Sequence, residues 1–119
     1  GIVVAVEGVF DAIRVWSLGI PAVAYFGSSP RAQQTKLLQR LKPSRLIMMP
    51  DPDAIASVAD YASSVCGRFD EVLLATLGEG DPASADRSDL IDSLRSASPI
   101  TSKLDVLDLQ IGQVSSWKT

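Results

Sequence analysis

The chain of 119 residues contains no histidine and only one cysteine. Without imidazole, histidine-based acid–base catalysis and zinc sites that require histidine are excluded. A lone cysteine, Cys66, can form neither an internal disulfide nor a thiolate cluster, which fits a reducing compartment. Acid–base or metal chemistry in this chain must therefore depend mostly on carboxylates.

Basic residues and long apolar runs are also few. The 11 lysines and arginines are outnumbered by 14 aspartates and glutamates, which gives a formal net charge of −3. A protein that grips nucleic acid over its whole surface is strongly basic because it must neutralise phosphates, so this role is excluded for the chain acting alone. No apolar run approaches the roughly 18 residues that a membrane span needs.

The beginning of the chain is already inside an apolar run. Residues 2–6 have no basic region before them and lead directly into Glu7 and Gly8, which is typical of a strand rather than a signal peptide. There is no initiator methionine. We therefore expect the chain to be a processed product or an excised piece of a longer protein. With 46% apolar residues it is expected to form one compact domain.

Apolar runs alternate with helical patterns along the chain. Strands are predicted at residues 2–6, 21–26, 45–49 and 71–77. The first helix is expected to use one apolar face made of Ala12, Ile13, Val15, Trp16 and Leu18. The next helix is expected to begin at Pro30 with Ser29 as its N-cap, and later helices are expected near residues 54–66 and 86–94. This order predicts an α/β fold of the compact Rossmann-like kind, with a mainly parallel four-stranded sheet flanked by helices.

Acidic residues follow three of the four predicted strands. Ligands bind beyond the carboxyl ends of parallel strands, so these side chains should meet at one edge of the sheet. They are Glu7 and Asp11 after the first strand, Asp51 and Asp53 after the third, and Glu79 and Asp81 after the fourth. Carboxylates gathered there repel one another unless a cation or a proton neutralises them. Hard oxygen ligands without histidine or cysteine favour Mg²⁺ or Mn²⁺ over zinc.

Each acidic residue also has a purely structural interpretation. Asp51 or Asp53 taken singly fits a helix N-cap, and Asp11 fits a partner of a helix dipole. Asp81, followed by proline, fits an ordinary turn. Glu7 is harder to explain in this way, because a carboxylate that follows five aliphatic residues is costly to bury without a partner.

The second predicted helix is basic. Arg31, Lys36 and Arg40 lie on it or at its start. These side chains could contact a phosphate backbone, or they could form an ordinary solvated helix face.

Several of these residues follow a known pattern. The strand and turn at residues 3–12 (VVAVEGVFDA), the second strand at residues 19–24 (GIPAVA), Gly27, and Asp51-Pro52-Asp53 resemble the Toprim domain. Within that superfamily the chain is most similar to DnaG-type primases and to the primase-helicases of phages and mitochondria. The similarity includes an EGxxD step at Glu7, Gly8 and Asp11 and a later Asp81-Pro82 in a glycine-containing loop, and it covers nearly all of residues 2–100.

The resemblance implies a Toprim catalytic domain in residues 1–100 and a C-terminal extension in residues 101–119, whose pattern fits either a strand or a helix. It implies Mg²⁺-dependent nucleotidyl transfer in RNA primer synthesis during DNA replication. Single-stranded DNA template and nucleoside triphosphates are expected to bind through a longer parent protein, with a helicase domain or subunit as a further partner and no membrane. The isolated chain is expected to be inactive alone. The expected location is the cytoplasm of a bacterium or phage-infected cell, near the nucleoid.

The resemblance also implies roles for individual residues. Asp51 and Asp53, with Asp81 contributing, would hold Mg²⁺ or Mn²⁺, and Glu7 would assist proton transfer or complete the metal shell. The catalytic residues would thus be Glu7, Asp51 and Asp53, with Gly8, Asp11 and Gly27 in supporting positions. Two departures stand out. Ala54-Ile55-Ala56 replaces a small Ala-Gly step, and Ala83 stands where primases often have a second acidic residue.

Two other functions compete with primer synthesis. One is a Toprim nuclease of the OLD or ribonuclease M5 type, which hydrolyses phosphodiesters with the same acidic cluster. The other is a non-catalytic, nucleic-acid-associated binding module with a degenerate site. The loop at Asp81-Pro82 and the helix after it favour the primase branch.

Overall fold

The structure, a computed structural model, describes residues 1–100. Its strands are β1 (Ile2–Val6), β2 (Ala22–Ala24), β3 (Arg45–Met48), β4 (Val72–Leu74) and β5 (Ser98–Pro99). Its helices are α1 (Val9–Trp16), α2 (Ala32–Arg40), α3 (Ile55–Val65) and α4 (Arg87–Arg95), with short 3-10 turns at Pro52–Ala54 and Cys66–Arg68. The expected extension at residues 101–119 lies outside the described residues. No helix within residues 1–100 is long and apolar enough to cross a bilayer.

The strands form one sheet in the order β2-β1-β3-β4-β5. The first four strands are parallel to one another, and β5 runs antiparallel to β4. The predicted α/β class and the parallel arrangement of the four strands are confirmed. The sequence pattern did not predict β5, because two residues are too few to show an alternation.

Helices cover both faces of the sheet, as expected for parallel strands that are apolar throughout. In β1, Val3 and Ala5 belong to a core layer that α2 and α3 cover, whereas Val4 and Val6 belong to a second layer under α1 and α4. All four of these β1 side chains are buried. Strand β1 is therefore enclosed from Val3 to Val6, and the chain becomes partly exposed at Glu7 and Gly8 beyond its carboxyl end.

The strand order places a topological switch point beside β1. Helix α1 leads to β2 on one side of β1, and α2 then carries the chain across to β3 on the other side. In doubly wound sheets, such a point opens a crevice at the carboxyl ends of the two strands. Ala5 of β1 lies opposite Met48 of β3, and the Met49 amide donates to the Ala5 carbonyl at 3.0 Å. The residues that follow both strands therefore emerge side by side.

Helix α1 buries only part of the face that was predicted. Its eight residues bury Asp11, Ala12 and Val15, while Ile13 and Trp16 are more than half exposed. A short helix meets the sheet along one narrow stripe, and a carboxylate occupies part of that stripe here. The Trp16 indole instead donates its Nε1–H to the Ala22 carbonyl at 2.8 Å.

Helix α2 also begins later than predicted, with Arg31 rather than Ser29 at the N-cap. The Arg31 amide donates to the Gln34 side-chain Oε1 at 2.9 Å. A glutamine within the first turn thus supplies an acceptor at the helix start, a role that the serine was expected to fill.

Candidate functional site

Glu7 and Asp51 lie side by side at the switch point, because they follow the paired strands β1 and β3. Asp51 Oδ1 is buried and has no hydrogen-bond partner among the described residues. Burial, a hydrogen bond with Glu7, and the negative charges of Asp11, Glu7 and Asp81 raise the pKa of Asp51 to about 6. Two ionised carboxylates can only accept, so the Glu7–Asp51 hydrogen bond forms when one of them is protonated. Four carboxylates from three strand ends thus act on one another at this edge.

Asp11 connects two separate parts of this edge. It is only 6% exposed, and both of its oxygens accept backbone hydrogen bonds. Oδ2 accepts from the Gly8 amide at 3.3 Å, and Oδ1 accepts from the Ala83 amide at 3.0 Å, 72 residues away in sequence. The predicted supporting residue therefore holds the turn after β1 and the loop after β4 in a fixed relation.

Asp81 is half-buried in the loop after β4. Its Oδ1 accepts from the Ser84 amide at 2.9 Å, which closes a turn that contains Ala83. Asp81 also raises the pKa of Asp51, so its charge reaches the Glu7–Asp51 pair. The turn interpretation and the site interpretation of this residue are therefore compatible.

Tyr25 is a member of this group that sequence reasoning missed. Its ring is buried, and its hydroxyl has no hydrogen-bond partner among the described residues. Burial, followed by the charges of Glu7, Asp51 and Asp11, raises the pKa of this hydroxyl above its ordinary value. An aromatic residue at the end of an apolar run indicates a core position, and nothing in the sequence shows where its hydroxyl lies.

Other predicted residues lie around the group rather than within it. Asp53 is exposed on the 3-10 turn after Asp51. It is not among the carboxylates that raise the pKa of Asp51. Gly8 is the N-cap of α1, and Gly27 has a φ of +155°, which L side chains rarely adopt. Both glycines therefore lie in the turns that lead out of β1 and β2.

The basic residues of α2 are exposed. Arg31 precedes the helix, and Lys36 and Arg40 are four residues apart, which places these two on the same helix face. They follow β2, so the helix begins at the same sheet edge as the carboxylates and runs away from it.

The carboxylates form an open arrangement rather than a closed cage. Within residues 1–100, no three histidine, cysteine, aspartate or glutamate side chains are close enough to hold a metal by themselves. Mg²⁺ is usually bound by one or two carboxylates together with waters and substrate phosphates. The partnerless, buried Asp51 Oδ1 beside Glu7 fits this mode of binding.

A separate cleft of about 620 Å³ lies between the loop after β4 and α4. Its lining includes Glu79, Asp86 and Asp89, but neither Glu7 nor Asp51. The crevice at the switch point is therefore distinct from this cleft.

Solved structures of primases share this architecture. The chain matches the crystal structure of the Aquifex aeolicus primase, comprising its zinc-binding and RNA polymerase domains, with a TM-score of 0.65 and 26% identity over 84% of this chain and 27% of that one. It matches a structure of the DnaG primase catalytic domain bound to single-stranded DNA with a TM-score of 0.64 and 24% identity, over 82% of this chain and 34% of that one. No protein-family model and no curated protein sequence matches the chain.

The doubly wound sheet and these two matches define the class as an α/β domain related to the catalytic part of bacterial primases. The chain has the fold of a primase-like Toprim domain. It spans about a third or less of the length of either primase chain.

Replacing Asp11 tests its role as the connection between the two loops. We expect Asp11→Ala to lower the free energy of unfolding by roughly 1–3 kcal/mol, because the Gly8 and Ala83 amides lose their acceptor. Asp11→Asn keeps one acceptor oxygen and should lose less. Urea unfolding measures both, with Asp60→Ala on the exposed side of α3 as a control. Equal stability of the Asp11→Ala and Asp60→Ala variants would contradict this role.

The raised pKa of Asp51 predicts a dependence of stability on pH. The pKa of Asp51 is about 6 in the folded chain and 3.8 for an ordinary aspartate, so the folded chain keeps this proton to a higher pH. The free energy of unfolding therefore falls as the pH rises between these two pKa values. In metal-free buffer, Asp51→Asn should therefore be more stable than wild type at pH 7.5, by about 1 kcal/mol once solvent screening of a partly exposed group is allowed for.

Chemical denaturation at pH 3.5 and at pH 7.5 measures this difference, and the advantage of Asp51→Asn should vanish at the lower pH. Asp60→Asn, which removes a carboxylate away from the sheet edge, should show no such trend. An Asp51→Asn variant that gains nothing at pH 7.5 would argue against a carboxylate cluster around this residue.

Proposed function

We propose that this chain is the Toprim domain of a DNA primase or primase-helicase, and that it serves Mg²⁺-dependent nucleotidyl transfer in RNA primer synthesis. The observation that supports this most is the Glu7–Asp51 pair at the switch point, with a buried carboxylate oxygen that has no partner among residues 1–100. The likeness to primase structures gives this acidic edge a chemical context, since one of those structures holds single-stranded DNA.

In this proposal, Asp51 holds Mg²⁺ or Mn²⁺ together with Glu7, and Asp81 contributes from the loop after β4. Asp53 takes part from the exposed side of the turn, where it can meet an ion that the substrate brings. A bound divalent ion neutralises triphosphate charge and stabilises the charge on the attacking and leaving oxygens. The charges that raise the pKa of Asp51 are those that such an ion would offset.

The chain's own side chains have the remaining tasks. Glu7 accepts a proton from the primer 3′-hydroxyl or completes the ligand shell, since no histidine is present to do either. Asp11 keeps Glu7 and Asp81 in register through the Gly8 and Ala83 amides. Positioning of this kind matters because nucleotidyl transfer depends on aligned attacking and leaving oxygens.

Template and nucleotides are proposed to bind mainly through the rest of a longer protein. The chain covers 27% and 34% of the primase chains it matches, and its net charge of −3 permits only weak, salt-sensitive contact with a phosphate backbone. Arg31, Lys36 and Arg40 are proposed to assist that contact. A helicase domain or subunit is a further proposed partner, in the cytoplasm of a bacterium or phage-infected cell and close to the nucleoid.

Metal binding can be tested on the chain itself by calorimetric titration with Mg²⁺ and Mn²⁺ at pH 7.5. We expect Asp51→Asn to weaken binding by about tenfold or more, because a hard cation loses an anionic oxygen ligand. Glu7→Gln should weaken it similarly, and Asp60→Asn should bind as the wild type does. Indistinguishable affinities for wild type and an Asp51→Asn/Asp53→Asn double variant would remove the metal site from the proposal.

The reaction can be tested by incubating a longer protein that contains this chain with single-stranded DNA and nucleoside triphosphates, beside labelled DNA or RNA alone. We expect short oligoribonucleotides that depend on Mg²⁺ and disappear in Asp51→Asn, and no product from residues 1–119 alone. Cleavage of the labelled strand without synthesis would favour the nuclease function. Neither activity, together with intact nucleic-acid association, would favour the non-catalytic module.

A further inference from the structure

Phe26, the second residue after β2, has a backbone conformation that its side chain does not favour. Its φ is +53°, in the left-handed region that bulky side chains avoid. Lys42 is the other non-glycine residue with a positive φ among residues 1–100, and it lies just after the C-cap of α2, where such a conformation commonly ends a helix. Phe26 has no such explanation, because it follows a strand.

Packing of the Phe26 ring does not offset this backbone strain, since the residue is 63% exposed. The backbone around it is nevertheless fixed. The Phe26 amide donates to the Glu7 carbonyl at 2.8 Å, and Gln34 Nε2 donates to the Tyr25 carbonyl at 2.9 Å. Gln34 also accepts from the Arg31 amide, so one side chain holds both ends of the loop. The backbone that carries this exposed aromatic ring is thus joined by one hydrogen bond to the backbone of Glu7.

The surroundings of this ring fit a nucleic-acid base. Gly27 and Ser28, two small and exposed residues, follow it, and exposed Arg31 comes at the start of α2. Proteins that bind single strands combine aromatic rings, on which bases stack, with basic side chains that meet the backbone phosphates. Strained residues of this kind cluster at functional sites, where the strain fixes a geometry that ligands use.

We infer that Phe26 is a base-stacking residue: its exposed ring, carried on a backbone that is hydrogen-bonded to that of Glu7, stacks on the base of the nucleotide or strand whose phosphates meet the acidic edge. This inference rests on the proposed function for its ligand class, but not on catalysis or on the metal. The base can belong to an incoming nucleoside triphosphate or to a single strand, and the experiment separates the two.

The test compares ligands that differ only in the presence of a base. ATP is paired with inorganic tripolyphosphate, and a short single-stranded oligonucleotide is paired with an abasic strand of equal length. Affinities of the chain for all four are measured by calorimetry or fluorescence anisotropy at low ionic strength, with Mg²⁺ and again with a chelator. Wild type should bind the base-bearing member of at least one pair about tenfold tighter. The pair that shows this preference identifies the source of the base.

Three variants make the result specific. Phe26→Asn should remove the preference without lowering the melting temperature, because asparagine adopts positive φ more readily than phenylalanine. Phe26→Trp should retain the preference, and quenching of the added indole by the base-bearing ligand gives a direct signal of stacking. Leu41→Ala removes a side chain of similar exposure at the far end of α2 and should change nothing.

The inference is overturned if wild type shows no preference in either pair, or if Phe26→Asn keeps the preference. It is also overturned if Phe26→Asn is markedly less stable than wild type, since Phe26 would then be a packing residue. Asp51→Asn should keep the base preference in chelator even though it loses Mg²⁺. Failure of the metal site and failure of the stacking residue therefore give different results.

Discussion

The parallel pairing of β1 with β3 is the constraint on which the site depends. It brings Glu7 and Asp51 out at neighbouring positions of the same sheet edge, where their charges oppose each other. The apolar layers on both faces of the sheet hold this pairing, and they stabilise it by far more than two partly buried carboxylates destabilise it. The core therefore maintains an electrostatic repulsion at its edge, which the proposed divalent cation would relieve.

The rigidity of that edge comes from hydrogen bonds rather than from ion pairs. Asp11 accepts from backbone amides of two loops, and it does so from a nearly buried position where an unpaired carboxylate would be costly. By contrast, the ion pair between Arg45 and Glu71 is solvent-exposed at the opposite edge, and such pairs contribute little to stability. Replacing Asp11 would therefore disturb both the turn after β1 and the loop after β4.

The order and direction of the strands could be predicted from the sequence, whereas most individual side-chain contacts could not. Unbroken apolar runs between glycines and prolines predicted the parallel strands, and the shared direction of those strands predicted that Glu7, Asp51 and Asp81 would lie at one edge. The bond from Ala83 to Asp11 spans 72 residues and leaves no local pattern. The exposure of Trp16 depends on which stripe of a short helix meets the sheet, and the position of the Tyr25 hydroxyl depends on three strand ends together. Such features follow from tertiary packing, which periodicity does not encode.

An open acidic edge has a consequence for how the proposed site fills. A cation that meets only one or two protein carboxylates keeps most of its waters and binds weakly, and phosphate oxygens then complete its shell. The metal and the nucleotide would each tighten the binding of the other, because binding free energies are reciprocal. A ring that stacks on the base would add a contact independent of charge, and so would hold the nucleotide before the ion is in place. On this view the carboxylates would provide selectivity for a metal-bound triphosphate, whereas Phe26 would provide affinity for the base of the same nucleotide.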